Sequence, residues 1–202
     1  MTNITPSFPT WRWLATFAAF PVAGLLGRAV GGPVDELGAA LLGGAATGAV
    51  LGAAQWLAAR RALGGPFAWV AATAVGMSLG LGAGAAAVDF GTELGDLATM
   101  GFITGLALGG TQGAALLWQR RVLLARVWGA GMPLLYALGW TVTTLAGVSV
   151  EDQFTVFGAT GALVVTIISG GLLRRAGYPV PAGTTGLASG SAVQASSANT
   201  IR

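Results

Sequence analysis

The sequence predicts an all-α fold: a polytopic membrane protein whose six transmembrane helices form three parallel helical-hairpin repeats, with N- and C-termini both cytoplasmic. Composition is the first reason. Hydrophobic residues make up 54% of the 202-residue chain and charged residues 8%, far below the roughly 25% of an ordinary soluble domain. Spacing is the second. Uncharged stretches run from Leu37 to Ala59, Ala62 to Val88, Leu97 to Gln119, Val127 to Val150 and Gln153 to Leu173, each at or above the roughly 20 residues that cross a hydrocarbon core. A sixth, from Trp13 to about Gly31, is interrupted only by Arg28.

The third reason is where the charges fall. Arg12 precedes the first run, Asp35 and Glu36 follow it, and the second run closes with Arg60-Arg61. The cycle recurs with Asp89, Glu93 and Asp96 before Arg120-Arg121 and Arg126, and again with Glu151 and Asp152 before Arg174-Arg175. Six crossings place these arginines on one side and all seven carboxylates on the other. The positive-inside rule makes the arginine side cytoplasmic. Arginine used without any lysine, amid abundant alanine and glycine, suggests a GC-rich bacterial genome, hence a bacterial cytoplasmic membrane.

The pairs Thr47-Gly48, Thr104-Gly105 and Thr160-Gly161 anchor an internal alignment, and Trp13, Trp69 and Trp128 stand near the start of each unit. The predicted organisation is a lead over 1–10, hairpins over 11–61, 66–121 and 127–175, and a disordered Ser/Thr/Ala/Gly-rich tail over 178–202. Every unit begins and ends on the arginine side, so the repeats are parallel rather than inverted. The first run resembles a signal peptide in outline, but its match to the later units predicts that it is retained. Trp11, Trp13, Trp56, Trp69, Trp118 and Trp128 are expected to form an aromatic belt at the inner interface.

Element by element, local signals support these spans. Pro33 is expected just inside the start of the second helix, and Ser149-Val-Glu-Asp152 reads as a capping box for the sixth. Acidic residues at helix starts and arginines at their ends complement the helix dipole. Pro21 and Pro133 are expected to kink the first and fifth helices. Small residues recur every fourth position: Gly44, Gly48 and Gly52 in the second helix, Gly76, Gly80 and Gly84 in the third, and Gly101, Gly105, Gly109 and Gly113 in the fourth. Such ridges let backbones approach closely in lipid.

Reactive chemistry is scarce. The chain has no cysteine and no histidine, so it lacks thiolate and imidazole ligands, and no cofactor, metal or catalytic residue is expected. The net charge of +3 would suit nucleic acid, but the basic residues are arginine pairs at helix ends, and no nucleic-acid partner is expected. Uncharged polar residues inside the membrane are better candidates, because each costs free energy unless it finds a partner or water. Thr47, Thr104 and Thr160, with Gln55 and Gln112 nearer the cytoplasm, are candidates for a polar collar around a threefold axis. The bland alternative is that each threonine bonds its own turn or a neighbouring helix and that the glutamines pin hairpins together. Arg28 is expected to reach outward and pair with Asp35 or Glu36.

The stretch Gly48-Ala-Val-Leu-Gly52-Ala-Ala-Gln55-Trp56, leading to Arg60-Arg61, resembles uncharacterised bacterial multi-pass membrane proteins with repeated G-x-x-x-G-x-x-Q-W helix exits. That resemblance implies topology and carries no activity. Function is therefore expected to be non-enzymatic: a scaffold, assembly factor or accessory subunit that meets the lipid bilayer and a membrane-protein partner or a second copy. The alternative is a small pore or transporter for uncharged solutes, lined by the even-numbered helices. An intramembrane enzyme would have only Asp89, Glu93, Asp96, Glu151 and Asp152 to work with.

Overall fold

The structure, a computed structural model, describes Phe8, residues 10–148 and residues 155–177. Six helices are long and apolar enough to cross a membrane. They are α1 (Thr10–Gly31), α2 (Leu37–Leu63), α3 (Pro66–Ala87), α4 (Leu94–Trp118), α5 (Val122–Leu145) and α6 (Ala159–Gly177). Each packs on its successor in the chain, and α1 returns to α6, so the six close into a ring.

Several helix ends differ from the uncharged runs. Charge does not stop a helix; capping does. α2 is kinked at Ala59, whose φ of −131° and ψ of 31° leave the helical region, and a last helical turn then carries Arg60 and Arg61 to Gly64, whose φ of +74° suits a residue without Cβ. α2 begins at Leu37 with Glu36 as its N-cap, so Pro33 stands in the preceding turn and not inside the helix. α4 carries a capping box in which the Glu93 side chain accepts from the backbone of Asp96 and the Glu93 N–H donates to Asp96 Oδ2 at 3.3 Å. The box expected at Ser149–Asp152 lies outside the described residues.

The largest departure is at the start of α6. The capping box read at Ser149–Asp152 and the last apolar run predict helix before Thr155, yet Thr155 to Gly158 is irregular and α6 starts at Ala159. Thr155, Val156 and Phe157 are all buried. Phe157 stacks on Phe20 of α1 with centroids 5.5 Å apart and meets Tyr136 and Trp140 of α5 edge-on at 5.2 and 6.1 Å. Irregular backbone is here covered by protein, the Phe157 ring packing between α1 and α5.

The two prolines act differently. A 3-10 turn at Thr16–Ala18 interrupts α1 just ahead of Pro21, which cannot donate to the Phe17 carbonyl. α5 runs on through Pro133. The carbonyl that Pro133 leaves without its helical donor is that of Gly129, and a methyl added to Gly109 of α4 would come within 2.9 Å of it. Without a side chain on Gly109, α4 lies directly against that freed oxygen.

Glycines account for the closeness of the other seams. Gly44, Gly48 and Gly52 of α2 stand against Met77, Thr73 and Val70 of α3. Gly76, Gly80 and Gly84 of α3 stand against Leu108, Thr104 and Met100 of α4. Gly101, Gly105, Gly109 and Gly113 of α4 stand against Tyr136, Met132, Gly129 and Ala125 of α5. At most of these positions the nearest atoms belong to backbone, which cannot swing aside. A side chain larger than hydrogen at these positions would push the neighbouring helix away.

Candidate functional site

The interior of the ring is built on three tryptophans. Trp13 of α1, Trp69 of α3 and Trp128 of α5 are each no more than 1% exposed. Trp128 sits between the other two, edge-on to Trp13 at 5.9 Å and to Trp69 at 5.8 Å. The expectation of an interfacial belt is thus corrected for these three: they face one another inside the protein. Trp11 and Trp118 remain exposed, and Phe67 near the same end is exposed as well. An indole buried in an apolar interior must place its N–H on an acceptor, and each of these does so.

Trp69 Nε1 donates to Gln55 Oε1 of α2 at 3.2 Å. Trp128 Nε1 donates to Gln112 Oε1 of α4 at 2.7 Å. Trp13 Nε1 donates to the Thr166 carbonyl at 3.0 Å and to Ser169 Oγ at 3.2 Å, both on α6. The two glutamines then join. Gln112 Nε2 donates to Thr73 Oγ1 at 2.9 Å and, at 3.5 Å, to Gln55 Oε1. Thr73 in turn donates to the Trp69 carbonyl at 2.8 Å. One connected set of neutral hydrogen bonds thereby ties α2, α3, α4 and α5 together, and Trp13 ties α1 to α6.

This geometry gives the G-x-x-x-G-x-x-Q-W stretch a physical meaning. Gly48 and Gly52 admit α3, Gln55 receives the indole of that helix, and Trp56 Nε1 donates to the Gly64 carbonyl at 2.7 Å just past the helix end. α4 repeats the arrangement toward α5 with Gly105, Gly109 and Gln112. The sequence shows a tryptophan near the start of each odd-numbered helix and marks both glutamines; what sequence reasoning missed was their pairing, a glutamine near the end of the preceding even-numbered helix in two of three cases. Thr73, Thr166, Ser169 and Phe157 also escaped notice.

The threonines named as a collar are not brought together. Thr47 Oγ1 lies 2.7 Å from Thr155 Oγ1 and donates to the Ala23 carbonyl at 3.2 Å, joining α2 to α1 and to the segment before α6. Thr104 donates to the Met100 carbonyl of its own preceding turn at 2.7 Å. Thr160 is exposed in the first turn of α6. Equal spacing in sequence did not give equal placement: Thr47 and Thr104 lie mid-helix, whereas Thr160 is the second residue of α6. Of the five candidates, only Gln55 and Gln112 meet. Arg28 is half-buried one turn before Gly32, while Asp35 and Glu36 are exposed in the turn that follows.

A second feature is a groove of about 350 Å³ between α1, the end of α5 and the segment before α6, walled mainly by Phe17, Phe20, Pro21, Trp140, Val148 and Phe157. Its polar wall residue, Thr143, spends its hydroxyl on the Gly139 carbonyl at 2.8 Å. Toward the arginine-bearing ends Ala62, Leu63, Leu116, Leu124 and Leu173 are all buried. Among the described residues no three acidic, histidine or cysteine groups converge as metal ligands.

If the glutamines act as pins, Gln112→Leu should lower stability by about 1–3 kcal/mol by stranding the Trp128 N–H. Thermal unfolding in detergent of Q112L, Q55L and the double variant would measure it. Additive losses would sink the idea, since the two residues share one network. Comparison with known protein families, with curated proteins and with solved structures yields no match to this chain.

Proposed function

We propose that the chain is a non-enzymatic integral membrane protein that serves as a scaffold, assembly factor or accessory subunit of a membrane complex. Its form in this reading is three parallel hairpin repeats in a bacterial cytoplasmic membrane, with both termini cytoplasmic. One observation carries the proposal: the tryptophan and glutamine side chains of the interior are spent on joining helices to one another. The outward faces carry exposed apolar side chains such as Leu25, Leu42, Leu79, Leu106 and Leu134, suited to lipid or to a partner helix. The repeat reading is supported by the indole bonds, since each odd-numbered helix donates to the even-numbered helix before it around the ring. The helix exit at Gly48 to Trp56 is, in the same reading, what relates this chain to other bacterial multi-pass proteins.

The alternative, passage of an uncharged solute along the axis, finds less support. The three tryptophans occupy the centre, and the void beside them measures about 10 Å³, about the space of one water molecule. Gentle detergent extraction from the native membrane, followed by size analysis and mass spectrometry of co-purifying proteins, tests the leading reading. A stoichiometric partner or a defined homo-oligomer is the expected result. A lone monomer with solute flux in liposomes would overturn it. The triple variant T47V/T104V/T160V should keep its partners, and a loss of flux in that variant would instead favour a pore.

A further inference from the structure

We propose that the centre of the bundle holds one ordered water molecule, bound by Thr166 and shared with Ser169 and Gln55. The argument starts from the inequality of the three indole junctions. At two of them a glutamine carboxamide receives the tryptophan. At the third, Trp13 meets Ser169, whose side chain has two heavy atoms instead of five. The missing bulk corresponds to a void lined by Trp13, Gln55, Trp128, Thr166 and Ser169 among others.

Thr166 is 2% exposed, and its hydroxyl has no hydrogen-bond partner among the described residues. Other buried threonines in these helices, Thr73, Thr104 and Thr143, donate to the carbonyl four residues back. Thr166 does not. Leaving a buried hydroxyl without a partner is costly. The void of about 10 Å³ is at the lower limit of roughly 10–15 Å³ that admits one water, and a water needs two to four polar partners. Thr166 Oγ1 can donate or accept, Gln55 carries amide donors, and Ser169 Oγ retains acceptor capacity beyond its bond from Trp13. A larger polar ligand does not fit this space, and an apolar one would leave Thr166 stranded.

The test combines a map with a sign. In a crystallographic or electron cryo-microscopy map that resolves ordered solvent, density for a single water within hydrogen-bond distance of Thr166 Oγ1 is expected. Thr166→Val, nearly equal in volume, should lose that density and lower the Tm by about 2–4 °C, the equivalent of one lost hydrogen bond in a chain of this size. If the hydroxyl has no water, replacing it with a methyl removes a desolvation penalty, and the Tm stays level or rises. Absent density in the wild type, or a T166V variant as stable as the wild type, overturns the proposal.

Discussion

Trp128→Ala should come close to abolishing the folded bundle. Truncating a fully buried tryptophan costs about 3–5 kcal/mol in lost packing. Trp128 is 0% exposed and touches both other central indoles, so no single neighbour can close the gap. The substitution also strands Gln112 Oε1, which receives the Trp128 N–H at 2.7 Å, for about 1–3 kcal/mol more. The sum is comparable to the roughly 5–15 kcal/mol that holds a typical domain together. Trp118→Ala is the matched comparison: that ring is 91% exposed, and its loss should stay within about 0.5 kcal/mol. Thermal unfolding in mild detergent, followed by loss of the monodisperse peak, reads both. If W128A and W118A melt together, the tryptophan core is not what holds the ring. Trp128→Phe should fall between them, since it keeps most of the apolar area and loses the donor.

Gly105→Leu is expected to separate α4 from α5, whereas Gly110→Leu, five residues along the same helix, should be harmless. A Cβ at Gly105 would meet Pro133 Cα at 2.7 Å and the Met132 carbonyl carbon at 2.8 Å. Both are backbone atoms, so relief requires moving a helix. Overpacking typically costs about 1–3 kcal/mol and more when backbone must shift, and a leucine adds three carbons beyond the Cβ. Gly110 has nothing within 4 Å of its Cβ position and is exposed. Leucine is there favoured by helix propensity, by up to about 1 kcal/mol over glycine. The yield of folded protein after extraction, with its Tm, distinguishes the two. Equal behaviour would show that α4 and α5 are not in close contact.

The spans were legible because a bilayer imposes length and polarity on every crossing segment, and a linear pattern records both. The central site was legible only in pieces. Gln55 and Gln112 stood out as polar groups in apolar surroundings, whereas Trp13, Trp69 and Trp128 read as interfacial because tryptophan near a helix end suits either a membrane surface or a buried junction. Thr160 shows the opposite error. Its sequence register matches Thr47 and Thr104, but the irregular, buried stretch from Thr155 to Gly158 sets where α6 begins and leaves Thr160 exposed.

What the amino-acid sequence by itself determined is a set of six apolar helices, their approximate bounds and the small-residue faces along them, since these depend on composition and local period. Which indole meets which acceptor was decided by the tertiary structure alone. A hydrogen bond such as that from Trp13 to Ser169 spans 156 residues, and its partner is chosen by the closure of α1 onto α6. The same closure leaves Thr166 facing the one place at the centre where a short side chain stands in for a glutamine.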